Sequence, residues 1–253
     1  MVTVPNDADV VAKRRDVLAA LSTPKTKPAL VEALDASRST VDRAVDALQE
    51  HDFVTRRGSE YVATYAGRAA VDAYGQYLDR LDALAAAQPV VAELPPDVDI
   101  PPAVLDGATV TESVPEAPEA PVETNVPIVT DARRFRGTGP VVLPRYIDVT
   151  ASLVESGTET ELVLTEAVVD VLAETYPEGL STFEANDGIS LYVTDEQMPY
   201  AVWTAETPEG TVSGIVVYSE SGIVGNINND TTAMNEWAAS QYDRIRREAR
   251  PLD

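Results

Sequence analysis

The sequence predicts an α+β fold: a small helical module ending in a hairpin, one long helix, and a larger α/β domain with a mixed, largely antiparallel sheet. Three observations lead there. Residues 1–64 hold three short helical patterns followed by two β-prone runs. Residues 65–88 carry a single helical stripe. Beyond a proline-rich stretch at 89–140, residues 141–253 alternate helical patterns with short β-prone runs punctuated by Gly and Pro, the signature of helices laid on a sheet.

The first helix is expected from about Asp9 to Leu21, with Val10, Val11, Val17, Leu18 and Leu21 turned inward and Ser22-Thr23-Pro24 ending it. A second runs from about Lys27 to Leu34 and buries Leu30, Val31 and Leu34, and Asp35-Ala36-Ser37 turns the chain into a third. In that third helix Val41, Ala44, Val45 and Leu48 fall at i, i+3, i+4 and i+7, one apolar stripe. Ser39 and Arg43 lie opposite it, with Arg38 and Thr40 flanking the first turn. Phe53–Arg57 and Tyr61–Thr64 then form a hairpin around Gly58-Ser59-Glu60. Three helices and a hairpin in this order make a winged helix-turn-helix.

A short helix with Ser, Thr and Arg on its N-terminal outer face presents hydrogen-bonding groups suited to base edges. Double-stranded DNA is therefore the expected partner. Arg43 is placed to contact guanine or phosphate, with Arg38, Ser39 and Thr40 beside it, while Arg56 and Arg57 are expected wing contacts to phosphate or the minor groove. Asp46 and Glu50 also face outward, in the last turns, where the helix would be leaving the groove.

In the long helix Ala70, Tyr74, Tyr77, Leu81 and Leu84 alternate spacings of four and three, the seam of a coiled coil. Two readings stand side by side. Tyr74, Tyr77, Leu81 and Leu84 make a homodimer contact, or the stripe packs on its own chain. The 89–140 stretch holds ten of the eighteen prolines, and no Lys or Arg lies between Leu81 and Ala132. It reads as an acidic interdomain connector, partly docked through Leu94, Ile100, Val104, Leu105 and Val110.

The last domain, 141–253, shows helical patterns over Leu143–Val154 and Thr165–Tyr176 around the β-prone Thr160–Leu164. Strands are expected near Leu180–Glu184, Ile189–Val193, Ala201–Thr204, Val212–Tyr218 and Ile223–Ile227. Gly188, Pro199, Pro208-Glu209-Gly210 and Ser221-Gly222 mark the turns, and a closing helix runs from about Thr231 to Ala249.

Charge bounds the partners. The 253 residues carry a net charge of −23, with only three lysines, a dispersed acidity like that of halophilic proteins. At about 1 M salt the Debye length is only ~3 Å, so contacts at short range outweigh net charge. Residues 1–68 hold ten basic and ten acidic residues, and the remainder nine basic and thirty-two acidic. The neutral module is the one with the candidate recognition helix.

Cysteine is absent, which excludes disulfides and thiolate chemistry. No apolar run approaches the ~18 residues of a membrane helix, and residues 1–7 lack signal-peptide features, so a cytoplasmic protein without membrane contact is expected. His51 is the single histidine and falls at a helix end, and no P-loop, GxGxxG or GxSxG occurs. No catalytic residue, cofactor or metal site is expected. Asp195-Glu196 and Glu159/Glu161 read as a solvated face, and Asn229 or Asp230 as a helix N-cap beside Asn226 and Asn228. No Lys or Arg lies from Tyr146 through Asp243. A neutral or cationic small-molecule effector, or a protein partner, thus fits better than an anion.

The N-terminal ~65 residues resemble the winged-helix regulators of archaea, through Ser37-Arg38-Ser39-Thr40-Val41-Asp42-Arg43-Ala44-Val45 and Leu48 to Phe53-Val54. The C-terminal part resembles the domain shared by the methanogen filamentation regulator and its haloarchaeal relatives. That resemblance rests on Ile189-Ser190-Leu191-Tyr192-Val193-Thr194-Asp195, on Val216-Val217-Tyr218 with the Gly222 turn, and on Asn235-Glu236-Trp237-Ala238-Ala239-Ser240-Gln241-Tyr242. It implies a sensor or assembly domain after a DNA-binding module, and identifies no ligand.

The expected function is a sequence-specific DNA-binding transcription regulator of a halophilic archaeon. It would bind its operator as a dimer, with effector control through the C-terminal domain. A winged-helix adaptor that docks transcription proteins is the first rival. An enzyme in the α/β domain is the second, and requires a cleft of converging carboxylates.

Overall fold

The computed structural model describes residues 6–220 and 222–252. Residues 1–5 of the stretch read for a signal peptide, and Ser221 of the expected Ser221-Gly222 turn, lie outside the described residues. The chain divides into two compact units, after Leu81.

The first unit holds α1 (Asn6–Ala20), α2 (Lys27–Leu34), α3 (Arg38–Glu50), the hairpin strands β1 (Val54–Arg57) and β2 (Glu60–Ala63), and the first part of α4 (Tyr65–Val91). This is a winged helix-turn-helix. Leu18, Leu21, Leu30, Val41, Val45 and Leu48 are fully buried, so the apolar stripes of the three helices meet in one core. Thr26 Oγ1 accepts from Ala29 N at 3.3 Å and Ser37 Oγ from Thr40 N at 3.2 Å, which caps α2 and α3. Asp35 closes α2 in the left-handed region, φ 47°, a conformation Asp tolerates better than most residues. Lys25 and Tyr61 exchange backbone hydrogen bonds of 3.0 and 2.8 Å and so tie the wing to the start of α2. Gly67 is required where α4 crosses the end of α3, because a Cβ there would enter the Phe53 carbonyl.

The stripe along α4 is divided. Ala70 and Tyr74 pack on the winged-helix core, whereas Tyr77, Leu81 and Leu84 are 55, 44 and 47% exposed. Tyr74 is half-buried, with its own module's core on one side.

The second unit begins with the end of α4, a short 3-10 turn at Pro102–Leu105 and β3 (Thr109–Glu112). Next come α5 (Ala120–Glu123), α6 (Val126–Thr130), β4 (Arg134–Gly139), α7 (Pro144–Glu155), β5 (Glu159–Thr165), α8 (Glu166–Thr175) and α9 (Pro177–Glu184). The chain then runs through β6 (Ile189–Thr194), β7 (Tyr200–Glu206), β8 (Thr211–Ser219) and β9 (Gly222–Asn229) to α10 (Thr232–Glu248) and β10 (Arg250–Pro251). Among the described residues the strands form one mixed sheet in the order β10-β6-β5-β4-β7-β8-β9-β3. β4–β5 and β5–β6 are parallel and the other pairs antiparallel.

Alternation along the strands sends residues to two faces. Val163, Val202, Ile215, Val217 and Ile227 pack under α10 and against Ala87 and Val90 of α4. A Cβ on Gly225 would collide with Val90, so this β9 glycine lets the helix settle. Leu162, Leu164 and Leu191 pack on the opposite layer, with Val154, Val168, Leu172 and Phe183 of α7–α9.

Three expectations are corrected here. The 89–140 stretch is no bare connector, since it supplies an edge strand, β3, and a central strand, β4. Pro89 lies in the last turn of α4, while Pro102, Pro121 and Pro127 sit in the first turn of short helices, where no amide hydrogen is needed. Leu180–Glu184 is helical, not a strand. The N-cap of α10 is Thr231, which accepts from Met234 N at 3.3 Å, while Asn229 Oδ1 accepts from Thr231 N and Oγ1.

Candidate nucleic-acid interface

The burial of α3 separates its two sides. Val41, Ala44, Val45 and Leu48 are at most 1% exposed, while Arg38, Ser39, Thr40 and Arg43 are exposed. Ser37 Oγ lies 3.0 Å from Ser39 Oγ and 2.8 Å from Thr40 Oγ1, so three hydroxyls cluster at the helix start. The unsatisfied amides of a helix N-terminus favour anions there. Arg43 lies one turn on. Its Nε donates to Ser39 O at 3.0 Å, which folds the stem along the helix and leaves the terminal nitrogens of the guanidinium for an outside acceptor.

On the wing, Val54 is buried and Thr55, Arg56 and Arg57 are exposed. Arg56 Nε donates to Gly58 O at 2.8 Å, and its guanidinium lies 6.0 Å from the centre of the Tyr61 ring. Arg57 faces Glu60 across the hairpin register. Gly58 turns the tip with φ +63°. The structure therefore brings Arg38, Ser39, Thr40 and Arg43 onto one helix end, and Arg56 and Arg57 onto the adjoining hairpin of the same unit.

Lys27 is a residue that sequence reasoning passed over. Its Nζ reaches Asp42 at 2.9 Å and Asp46 at 3.2 Å, and lies 5.4 Å from the Tyr61 ring centre. The hydrogen bond to Asp42, with a further contribution from Asp46, raises the lysine pKa above its usual value despite partial desolvation. Asp46 therefore faces outward as expected, but paired with Lys27 of α2. The signal was there: Asp42 and Asp46 at i and i+4 repel each other unless a cation sits between them.

His51 is the C-cap residue of α3, and its Nδ1 meets the Asp7 carboxylate of α1. Glu159, Glu161 and Glu196 pair with Arg134, Arg246 and Arg244. Among the described residues no group of three or more acidic or histidine side chains is arranged to hold a metal ion. No helix there is long and apolar enough to cross a membrane.

Residues 118–248 match the family model described as the middle domain of the methanogenesis regulatory protein FilR1. The chain belongs to that family. In this FilR1-family chain, residues 8–86 also match the model of the HVO_A0261 N-terminal domain, a span containing all of α3 and the β1–β2 hairpin. No curated protein matches the chain. Among solved structures, the archaeal chromatin protein TrmBL2 is 9% identical over 96% of this chain and 94% of its own, with a TM-score of 0.43. Polyphosphate kinase from Porphyromonas gingivalis is 11% identical over 77% and 28%, with a TM-score of 0.38. HmgR of Pseudomonas aeruginosa is 13% identical over 95% and 97%, with a TM-score of 0.27. At scores below 0.5 none of these establishes a shared fold.

Proposed function

We propose that this FilR1-family chain is a sequence-specific DNA-binding transcription regulator. The α3 surface carries the reading: a fully buried apolar stripe on one side, and on the other an exposed N-terminal turn bearing Arg38, Ser39, Thr40 and Arg43. In a helix-turn-helix that end enters the major groove, and Arg56 and Arg57 of the wing contact the adjacent backbone. The unit that holds these groups is the neutral part of an otherwise acidic chain.

The operator is read as a pseudo-palindrome by a homodimer, one recognition helix per half-site. Tyr77, Leu81 and Leu84, the exposed part of the α4 stripe, form the proposed contact between copies. The second unit acts as the regulatory domain, and ligand control is a difference in affinity between two states of the dimer.

The deciding experiment maps genomic occupancy and repeats the strongest site in an electrophoretic shift at high salt with Arg43→Ala. Loss of one bidentate arginine contact costs about 1–3 kcal/mol, roughly five- to 150-fold in affinity, with circular dichroism unchanged. Equal operator affinity of variant and wild type would overturn the assignment of Arg43. Occupancy without any sequence motif would point to an adaptor instead.

A further inference from the structure

The second unit holds a half-open cavity of about 140 Å3 between the sheet and α6–α9. Phe135, Gly137 and Gly139 alternate onto the face of β4 that lines it. The Phe135 ring lies over Gly137 and Leu164 lies over Gly139, where a Cβ would meet them, so these side chains floor the space. Leu162 and Trp203, the register partners of Gly137, flank that space, and Val126 and Leu153 cover it from the helices. The cavity lies along the face of β4, between its parallel neighbour β5 and its antiparallel neighbour β7.

The lining has no Lys, Arg, Asp or Glu. Most of its polar atoms already have partners. Asn125 Oδ1 accepts from Asn226 and Asn228, and its Nδ2 donates to Pro121 O. Thr138 Oγ1 accepts from Val202 N, and Trp203 Nε1 donates to Asn226 Oδ1. Tyr146 and Tyr218 differ. Their hydroxyls are 2.9 Å apart and bond to each other, which uses one of two O–H protons and leaves the other for an acceptor. Burial raises both phenol pKa values, so the pair stays neutral and able to donate.

We propose that this cavity binds a small uncharged effector, a hydrocarbon body bearing one hydrogen-bond acceptor such as a ketone, with the acceptor on the Tyr146–Tyr218 hydroxyl pair. An apolar cavity of about 150 Å3 accepts benzene, so the ligand has roughly six to eight heavy atoms. A charged ligand is excluded, because nothing in the lining offsets the loss of its hydration. The word effector rests on the regulator reading, whereas occupancy of the cavity does not.

The test titrates the full chain with cyclohexanone, the isosteric hydrocarbon methylenecyclohexane and cyclohexylammonium, followed by two-dimensional NMR. Saturable binding of the ketone and the hydrocarbon, but not of the ammonium, is expected. Tyr146→Phe and Tyr218→Phe together should weaken the ketone about fivefold, the worth of one net hydrogen bond, and leave the hydrocarbon unchanged. Val126→Phe should fill the cavity and abolish both, and if it fails to fold, the ratio measured on the double Phe variant decides alone. Absence of saturable binding by a folded wild type, equal binding of the ammonium, or equal weakening of ketone and hydrocarbon by the double Phe variant each overturns the proposal. Operator shifts on the same samples keep the two readings apart. Ketone binding without any DNA shift defeats the regulator and leaves the cavity site, and a DNA shift without ketone binding does the reverse.

Discussion

Asp42 and Asp46 lie one turn apart on α3, close to the face proposed to meet phosphate, and Lys27 pairs with both. Without that cation two carboxylates would oppose the DNA at short range. Lys27→Ala is therefore expected to weaken operator binding about fivefold at low salt, since one unit charge at ~4 Å in water is worth ~1 kcal/mol. The deficit should shrink as salt rises, and Asp46→Asn in the same chain should restore much of it. Unchanged affinity of Lys27→Ala across a salt series would show that these acids never face the duplex. At this scale the sequence displayed the outer residues of α3 well, because helical periodicity fixes which side each occupies. It did not display Lys27, whose partners are brought to it by the packing of α2 on α3.

Helix α4 makes two demands on neighbouring elements. Near its start Gly67 sits against the Phe53 carbonyl, so Gly67→Ala must displace backbone. The expected cost is about 1–3 kcal/mol to the first unit, read as a lowered midpoint of its unfolding transition. Further along, Tyr77, Leu81 and Leu84 stand exposed. Replacing Leu81 and Leu84 together by Glu should convert the proposed dimer to a monomer by light scattering, with secondary structure retained. A wild type that is already monomeric, or a variant that stays dimeric, would move the interface away from this helix. The heptad spacing was legible in sequence, but the partner of each position was not, because an apolar stripe satisfies its own core and a second copy by the same chemistry. The misreading of Leu180–Glu184 has a similar origin: five residues are too few to separate a period of 2 from 3.6. Burial of Phe183, with Pro177 in the first helical turn, resolves it.

Over the whole molecule, Tyr146, Tyr200, Tyr218 and Tyr242 all have pKa values raised by burial above the usual 10.0. A raised folded-state pKa means that the stability from these phenols is fully present below pH ~10. It is lost as pH rises further, where the unfolded chain releases protons that the native one retains. The second unit should accordingly unfold at progressively lower temperature between about pH 10 and 11, and hold steady from 7 to 9. Tyr218→Phe should flatten the alkaline slope. A slope identical to wild type would show that the Tyr146–Tyr218 pair does not contribute. The prolines of 89–140 also belong to this scale. Their composition reads as a connector, yet β4 lies at the centre of the sheet, because Arg134–Gly139 contains no proline and Pro102, Pro121 and Pro127 start short helices.

By itself the sequence determined the α+β class, the winged helix-turn-helix order, the outward side of α3 with Arg38, Ser39, Thr40 and Arg43, and the charge asymmetry between the two parts. These follow from periodicity and local composition, which act within a few turns of chain. Only the tertiary structure decided that Lys27 pairs with Asp42 and Asp46, that Tyr74 is half-buried on the winged-helix core, that β3 and β4 join the sheet, and that two tyrosines line an apolar cavity. Each of those joins residues far apart in sequence, and their meeting is fixed by packing, which local pattern does not encode.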